Sequence, residues 1–349
     1  MIKTSRWSKA AAHALHRMPI NSSTEIRLTR LCSQRCRQCQ VYERQTEPAS
    51  LSLASFKEIG AKLCSYGAHI GFISGGEATL VPDLIPILEE SRRIFPTATN
   101  LVTGLINQTE HLREIARFCL EQNINIQTSL DGLGAIGDNL RGVDHFAERV
   151  LDHMAMISAM RGSSRSLLYA NIVLNRLNLD QVPELITKAK KIGWKSTIGL
   201  YHHLTETTRE DDELALIDEP RLVQLLEFLD GNPDILNLNS FILGIRPFLL
   251  GERTTPCPFV AAPALMTRLT IMENADVHLC WGGPIGNLFT QTLEEIFRGQ
   301  AYRDLLQRYR DCAGCWTTCY TQRYLLIHPH SAGELFGNLK KIIKMKKAP

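Results

Sequence analysis

Cys32, Cys36 and Cys39 place three thiols within eight positions, in the stretch CSQRCRQCQVY. Thiolates bind soft metals, and both a structural zinc site and a ferredoxin-type cubane take four ligands. Only three are local here. A [4Fe–4S] cluster held by three thiolates leaves one iron open, a coordination position for a small chelating molecule. A fourth ligand from afar would close it. A second set, Cys257, Cys280, Cys312, Cys315 and Cys319, includes a C-x2-C-x3-C run in CAGCWTTC. C-x2-C is also a zinc-ribbon element. Cys64 and Cys119 stand alone in helical patterns and read as buried structural thiols. No secretory signal precedes these cysteines, so metal or redox work is expected of the clusters rather than a disulfide framework.

Positioning such groups needs a frame. Six short segments rich in Ile, Leu, Val and Thr, at 24–29, 69–74, 98–103, 124–129, 167–174 and 195–200, read as strands. Amphipathic helical patterns separate them. Strands alternating with helices imply a parallel sheet, because parallel strands need crossover connections. Ligands then collect at the carboxyl ends of the strands. There the chain carries the three cysteines, then Gly75-Gly76-Glu77, then Ser129-Leu130-Asp131-Gly132, and after the sixth strand Tyr201, His202, His203 and Glu206. His202, His203 and Glu206 are candidate catalytic bases, since either residue type can take a departing proton.

The C-x3-C-x2-C motif after the first strand, with GGE after the second and SLDG after the fourth, resembles the radical S-adenosylmethionine (SAM) enzymes over roughly residues 22–205. The resemblance implies an α/β fold, a partial (β/α)6 TIM-type barrel. It implies that Cys32, Cys36 and Cys39 hold a [4Fe–4S] cluster whose open iron is chelated by SAM. One electron would then break a C–S bond, giving a 5′-deoxyadenosyl radical that takes a hydrogen atom from substrate. Gly75, Gly76 and Glu77 resemble the motif that receives the methionine amino group. Ser129 and Asp131 lie where the family contacts the ribose or the methionine end, and Arg141 would pair with the SAM carboxylate. Two positions depart from the family pattern. Gln38 stands where an aromatic residue often precedes the third cysteine, with Tyr42 as a substitute near the adenine, and Ala78 follows GGE where Pro is common.

Residues 255 onward, with ENADVHLCWGGPIGNL followed by TLEEIFRGQ and CAGCWTTC, resemble the SPASM/twitch extension of many radical SAM enzymes. That implies one auxiliary [4Fe–4S] cluster held by four of Cys257, Cys280, Cys312, Cys315 and Cys319, in a smaller C-terminal cysteine-rich α+β domain. The expected organisation is a basic N-terminal extension (1–21), the radical SAM core (22–207), a helical connector (208–254), the auxiliary cluster domain (255–333) and a basic C-terminal tail (334–349).

Composition narrows the partners. Of 349 residues 44% are hydrophobic, the formal net charge is +3, and this balance gives no case for nucleic acid. No apolar run reaches the length of a membrane span. A cytoplasmic enzyme is expected, served by a flavodoxin- or ferredoxin-type electron donor. The basic, acid-free ends (1–24 and 335–349) are either solvated or a peripheral contact with a membrane. For the substrate, a small metabolite is preferred over a peptide, because about thirty residues ahead of Cys32 are too few for a leader-binding domain. A peptide-modifying maturase is the second reading and a lipid precursor the third. A redox-sensing metal scaffold is the non-enzyme alternative, and it would bind no SAM.

Overall fold

Segments rich in β-branched residues extend, and amphipathic ones coil between them, in the order the sequence leads one to expect. The computed structural model describes residues 19, 21–41, 50–202, 208–252, 255–262, 267–312, 314–329 and 331–347. The strands in chain order are β1 (Asn21–Arg27), β2 (Ile70–Ser74), β3 (Ala98–Val102), β4 (Asn125–Ser129), β5 (Leu168–Leu174), β6 (Lys195–Leu200), β7 (Thr267–Ile271), β8 (Asp276–His278) and β9 (Gly286–Asn287). The chain packs into two compact units. One comprises residues 1–32, 41–102 and 256–313, the other residues 33–40, 103–255 and 314–349.

In the first unit the strands neighbour one another in the order β3-β2-β1-β7-β8-β9. β1 pairs in parallel with β2 (Thr24 opposite Gly71, Arg27 opposite Ser74) and with β7 (Thr24 opposite Leu269). β8 and β9 then return antiparallel. The segment expected to open a separate domain thus adds its first strand to the edge of β1. The helix Leu53–Tyr66 shows why these crossovers form. Ser52 Oγ accepts from Ser55 N at its start, and Gly67, at φ 97°, stops it. Phe56, Ile59, Gly60, Leu63 and Tyr66 make its buried stripe. A Cβ on Gly60 would lie 2.3 Å from Ile94 Cδ1, so this glycine lets the helix Leu84–Ile94 approach closely.

In the second unit β4, β5 and β6 run parallel, with Ser129 opposite Asn171 and Leu174 opposite Leu200. Amphipathic helices Thr109–Glu121, Phe146–Ala159 and Val182–Lys191 bury their apolar sides. In the connector expected at 208–254, the first helix begins at Pro220, a residue suited to a first turn rather than a break. The helix Gly134–Arg141, directly after the SLDG segment, was not legible in the pattern because three of its eight residues are glycine or β-branched. The basic C-terminal segment forms the helix Ala332–Lys347 and buries Asn338 and Lys341. Cys119 is buried as expected, and burial pushes its thiol well above the ordinary range, whereas Cys64 is only half-buried.

Candidate active site

In the first unit the chain between β1 and Cys32 is zipped onto the GGE segment. Leu28 N donates to Ser74 O (2.8 Å), Gly76 N to Thr29 O and Glu77 N to Leu31 O (both 2.7 Å). A Cβ on Gly76 would sit 2.2 Å from Leu31 O, so the motif admits only glycine where the two backbones meet. Glu77 is buried, and its carboxylate accepts from Thr79 N (3.1 Å) and Thr79 Oγ1 (2.8 Å), capping the short helical turn Ala78–Leu80. The anion expected to meet an amino group therefore also holds its own loop. Arg30 pairs with the buried carboxylate of Glu273.

Beneath this rim β1 presents Glu25 and Arg27 on the side opposite Ile26. Glu25 accepts from Ser74 Oγ (2.8 Å), Arg27 Nε (3.2 Å) and Arg268 Nη2 (3.1 Å). Burial works to raise its pKa, but Arg27 and Arg268, with the Ser74 bond, outweigh it and bring it to about 2. The sequence signal for this cluster is a pair of charged residues, Glu25 and Arg27, on either side of the buried Ile26.

In the second unit, residues 33–40 lie along the end of helix Gly134–Arg141. Arg35 N donates to Arg141 O (3.1 Å) and Arg37 N to Leu140 O (2.9 Å). Gly142, at φ 59°, makes room for Arg35 O, which a Cβ would approach to 2.5 Å. Cys36 Sγ donates to Gln34 Oε1 (3.3 Å) and accepts from Arg141 Nη1 (3.6 Å). Burial pushes the Cys36 thiol up; Arg141 opposes that, and neighbouring Cys39 adds to it. Arg141 is itself buried and paired with the fully buried Asp131. Asp131 also accepts from Val173 N (2.7 Å) and Gln38 Nε2 (3.3 Å), while Asn178 Nδ2 holds its carbonyl (2.8 Å). Gln38, the departure from the aromatic pattern, thus belongs to one network with Asp131, Arg141 and Cys36.

That network is not saturated. Among the described residues, Arg141 Nε and Gln38 Oε1 are buried without a hydrogen-bond partner. Buried polar atoms are almost always paired, so these mark places for a polar ligand. One unpaired donor and one unpaired acceptor in the network that holds Cys36 suit the amino-acid end of SAM, and the thiols suit iron. Among the described residues no three His, Cys, Asp or Glu side chains already stand in a metal-coordinating arrangement. The fit therefore lies in donor chemistry and chain position.

The second cysteine set divides. In the first unit Cys257, Cys280 and Cys312 gather around Tyr309, whose hydroxyl accepts from Cys280 N (3.1 Å) and donates to Trp281 O (2.8 Å). Burial, then Cys280 and Cys257 nearby, pushes that phenol up. Burial likewise raises Cys257, opposed by the N–H groups of Phe259 and Val260 and reinforced by Cys312. Gly282 and Gly283, at φ 98° and 89°, turn the chain after Cys280. Cys315 and Cys319 lie in the second unit, on either side of Trp316. The Trp316 indole is fully buried, stacks on Phe241 (5.8 Å) and donates to Phe241 O (2.9 Å).

His202, expected as a base on an open rim, is packed instead. Its Nε2 lies 2.8 Å from Trp316 O, its ring meets Phe248 edge-on at 5.4 Å, and burial lowers its pKa. His203, Glu206 and Tyr42 lie outside the described residues.

Comparison with known proteins bears on this arrangement. Residues 26–216, more than half the chain, match the model described as Radical SAM superfamily, and residues 263–316 match an iron–sulfur cluster-binding domain, SPASM. The Bacillus subtilis sporulation killing factor maturation protein SkfB is 23% identical over 49% of this chain and 40% of its own length. The Mycobacterium tuberculosis mycofactocin maturase MftC is 29% identical over 48% of this chain and 41% of its own. The matches thus span about two fifths of each curated relative. Among solved structures, Streptococcus suis SuiB bound to the precursor peptide SuiA superposes with a TM-score of 0.65 at 16% identity, over 86% of this chain and 70% of that one. anSMEcpe with bound AdoMet and the Cp18Cys peptide gives 0.60 at 15%, over 93% and 98%. At these identities the structural likeness establishes the fold, an α/β architecture on a parallel sheet.

Proposed function

The chain belongs to the Radical SAM superfamily and is an enzyme with a C-terminal SPASM domain, and from that premise we propose that it modifies a peptide. The observation that carries this reading is the pairing of a radical SAM core with a SPASM segment in a chain similar to a maturation protein, SkfB, and a maturase, MftC. A structural relative holding a precursor peptide supports it. The preference for a small metabolite, drawn from the short stretch ahead of Cys32, gives way to that weight.

The cofactors are SAM, a SAM-binding [4Fe–4S] cluster and an auxiliary cluster. In our reading Cys32, Cys36 and Cys39 hold the first, and Cys257, Cys280 and Cys312 with Cys315 or Cys319 the second. When bound and reduced, the first cluster supplies reductive cleavage of SAM and, through it, abstraction of a hydrogen atom from an unactivated C–H bond. The chain's own residues do the binding. Gly75 and Gly76 open the backbone to the methionine end, and Glu77 offers its anion to the amino group. Arg141, held by Asp131, gives a guanidinium to the carboxylate, with Gln38 and Ser129 completing the polar wall. His203 and Glu206 remain candidate bases for the departing proton. A flavodoxin- or ferredoxin-type donor in the cytoplasm would supply the electron.

The test has two stages. The protein is reconstituted anaerobically with iron and sulfide, reduced in the presence of SAM and assayed for 5′-deoxyadenosine; none is expected when Cys32, Cys36 and Cys39 are all changed to Ala. It is then co-expressed with short peptides encoded beside its gene, and their masses are measured. A mass change that disappears in the triple variant supports the peptide reading. Deoxyadenosine formation with no peptide altered, and with a metabolite consumed instead, would overturn it.

A further inference from the structure

The helix Ala332–Lys347 docks through Asn338 and Lys341 and turns an apolar row, Phe336, Leu339 and Ile343, outward. Asn338 and Lys341 are 2% and 9% exposed; Asn338 Nδ2 donates to Ser240 Oγ and Lys341 Nζ to Asn239 Oδ1, both at 3.3 Å. Phe336, Leu339 and Ile343 are 71%, 42% and 54% exposed. Spacings of three and four residues align those three in one stripe, and the helical period puts that stripe across the axis from Asn338 and Lys341. Leaving an apolar ridge in water while burying a lysine calls for an occupant.

The charge selects it. Besides the docked Lys341, residues 335–349 contain Lys340, Lys344, Lys346 and Lys347 and no acidic residue. We propose that this helix is a peripheral anchor for an anionic lipid surface, with Phe336, Leu339 and Ile343 at the boundary of headgroups and acyl chains and lysines against headgroup phosphates. The ridge is a convex helix flank, which a deformable bilayer can receive, whereas an acidic peptide would be held better in a groove. No helix among the described residues is long and apolar enough to cross a membrane, so the contact lies in the interface plane. The proposal is independent of the substrate.

The test is sedimentation of the reconstituted full-length protein with vesicles of phosphatidylcholine alone, or with roughly a third phosphatidylglycerol. Binding is expected to the anionic vesicles only. It should fall at least about tenfold in F336D/L339D/I343D and weaken in K340Q and in high salt. Because the three apolar positions are exposed, the variant should keep its circular dichroism; if it does not, L339Q/I343Q serves as the milder form. Equal sedimentation of wild type and a folded variant would overturn the proposal. So would a wild-type dimer in size-exclusion chromatography that the variant abolishes, since the ridge would then join two copies of the chain.

Discussion

Arg141 sits at the junction of two demands: it neutralises Asp131 and leans on the Cys36 sulfur. Replacing it with Met leaves a fully buried carboxylate unpaired, at a cost of about 3–5 kcal/mol. Arg141→Met is therefore expected to lower the melting temperature and to weaken SAM binding at least about tenfold, measured by equilibrium dialysis on the reconstituted protein. Asp131→Asn should be milder, because it removes one charge and keeps an acceptor. Gly76→Ala is expected to lose SAM binding as well, since its methyl group would strike backbone that cannot swing aside. Glu25 gives a pH-dependent case. Its folded pKa of about 2 lies below the unfolded value of 4.5, so its contribution is present above pH 4.5 and is lost as pH falls toward 2. Glu25→Gln should destabilise the protein at pH 7, on the order of 3 kcal/mol. In denaturant titrations the difference from wild type should shrink between pH 4.5 and 2.

At the scale of elements, the strands β1 to β6 were legible because each is a short run rich in β-strand-forming residues between turn residues. The site was legible wherever its chemistry is local in sequence, as in the cysteine motif and GGE. Three things were not. β7 joins the edge of β1 across some 240 residues, and no local pattern encodes a partner so distant. Arg268 reaches Glu25 only through that pairing. The helix Ala332–Lys347 reads as a basic tail, since the residues that dock it, Asn338 and Lys341, are types that rarely face a core. Lys341 makes that docking testable. Burial lowers its pKa from 10.5 to about 8, so the folded protein gives up this proton before the unfolded chain does. Stability attributable to Lys341 therefore rises with pH between about 8 and 10.5, and the penalty is complete below 8. Lys341→Met is expected to raise the melting temperature at pH 7, by about 2 °C or more, and to gain less at pH 10.

For the molecule as a whole, two cysteine sets imply separable metal contents. Reconstituted wild type is expected to hold about eight irons. Changing Cys257, Cys280 and Cys312 together to Ala should leave about four, with SAM still bound; changing Cys32, Cys36 and Cys39 should leave about four and no SAM binding. Iron analysis and dialysis on both variants check this. The pairing of β1 with β7 also has a temporal side. β1 leaves the ribosome first, and its edge partner is synthesised some 240 residues later. At bacterial-type elongation rates that interval is roughly 10 to 50 s. Throughout it one edge of the first sheet is an open template for any passing strand. The nascent chain thus has a defined window of vulnerability, which closes only when Thr267–Ile271 arrives, and a chaperone that acts on this protein would find its work there.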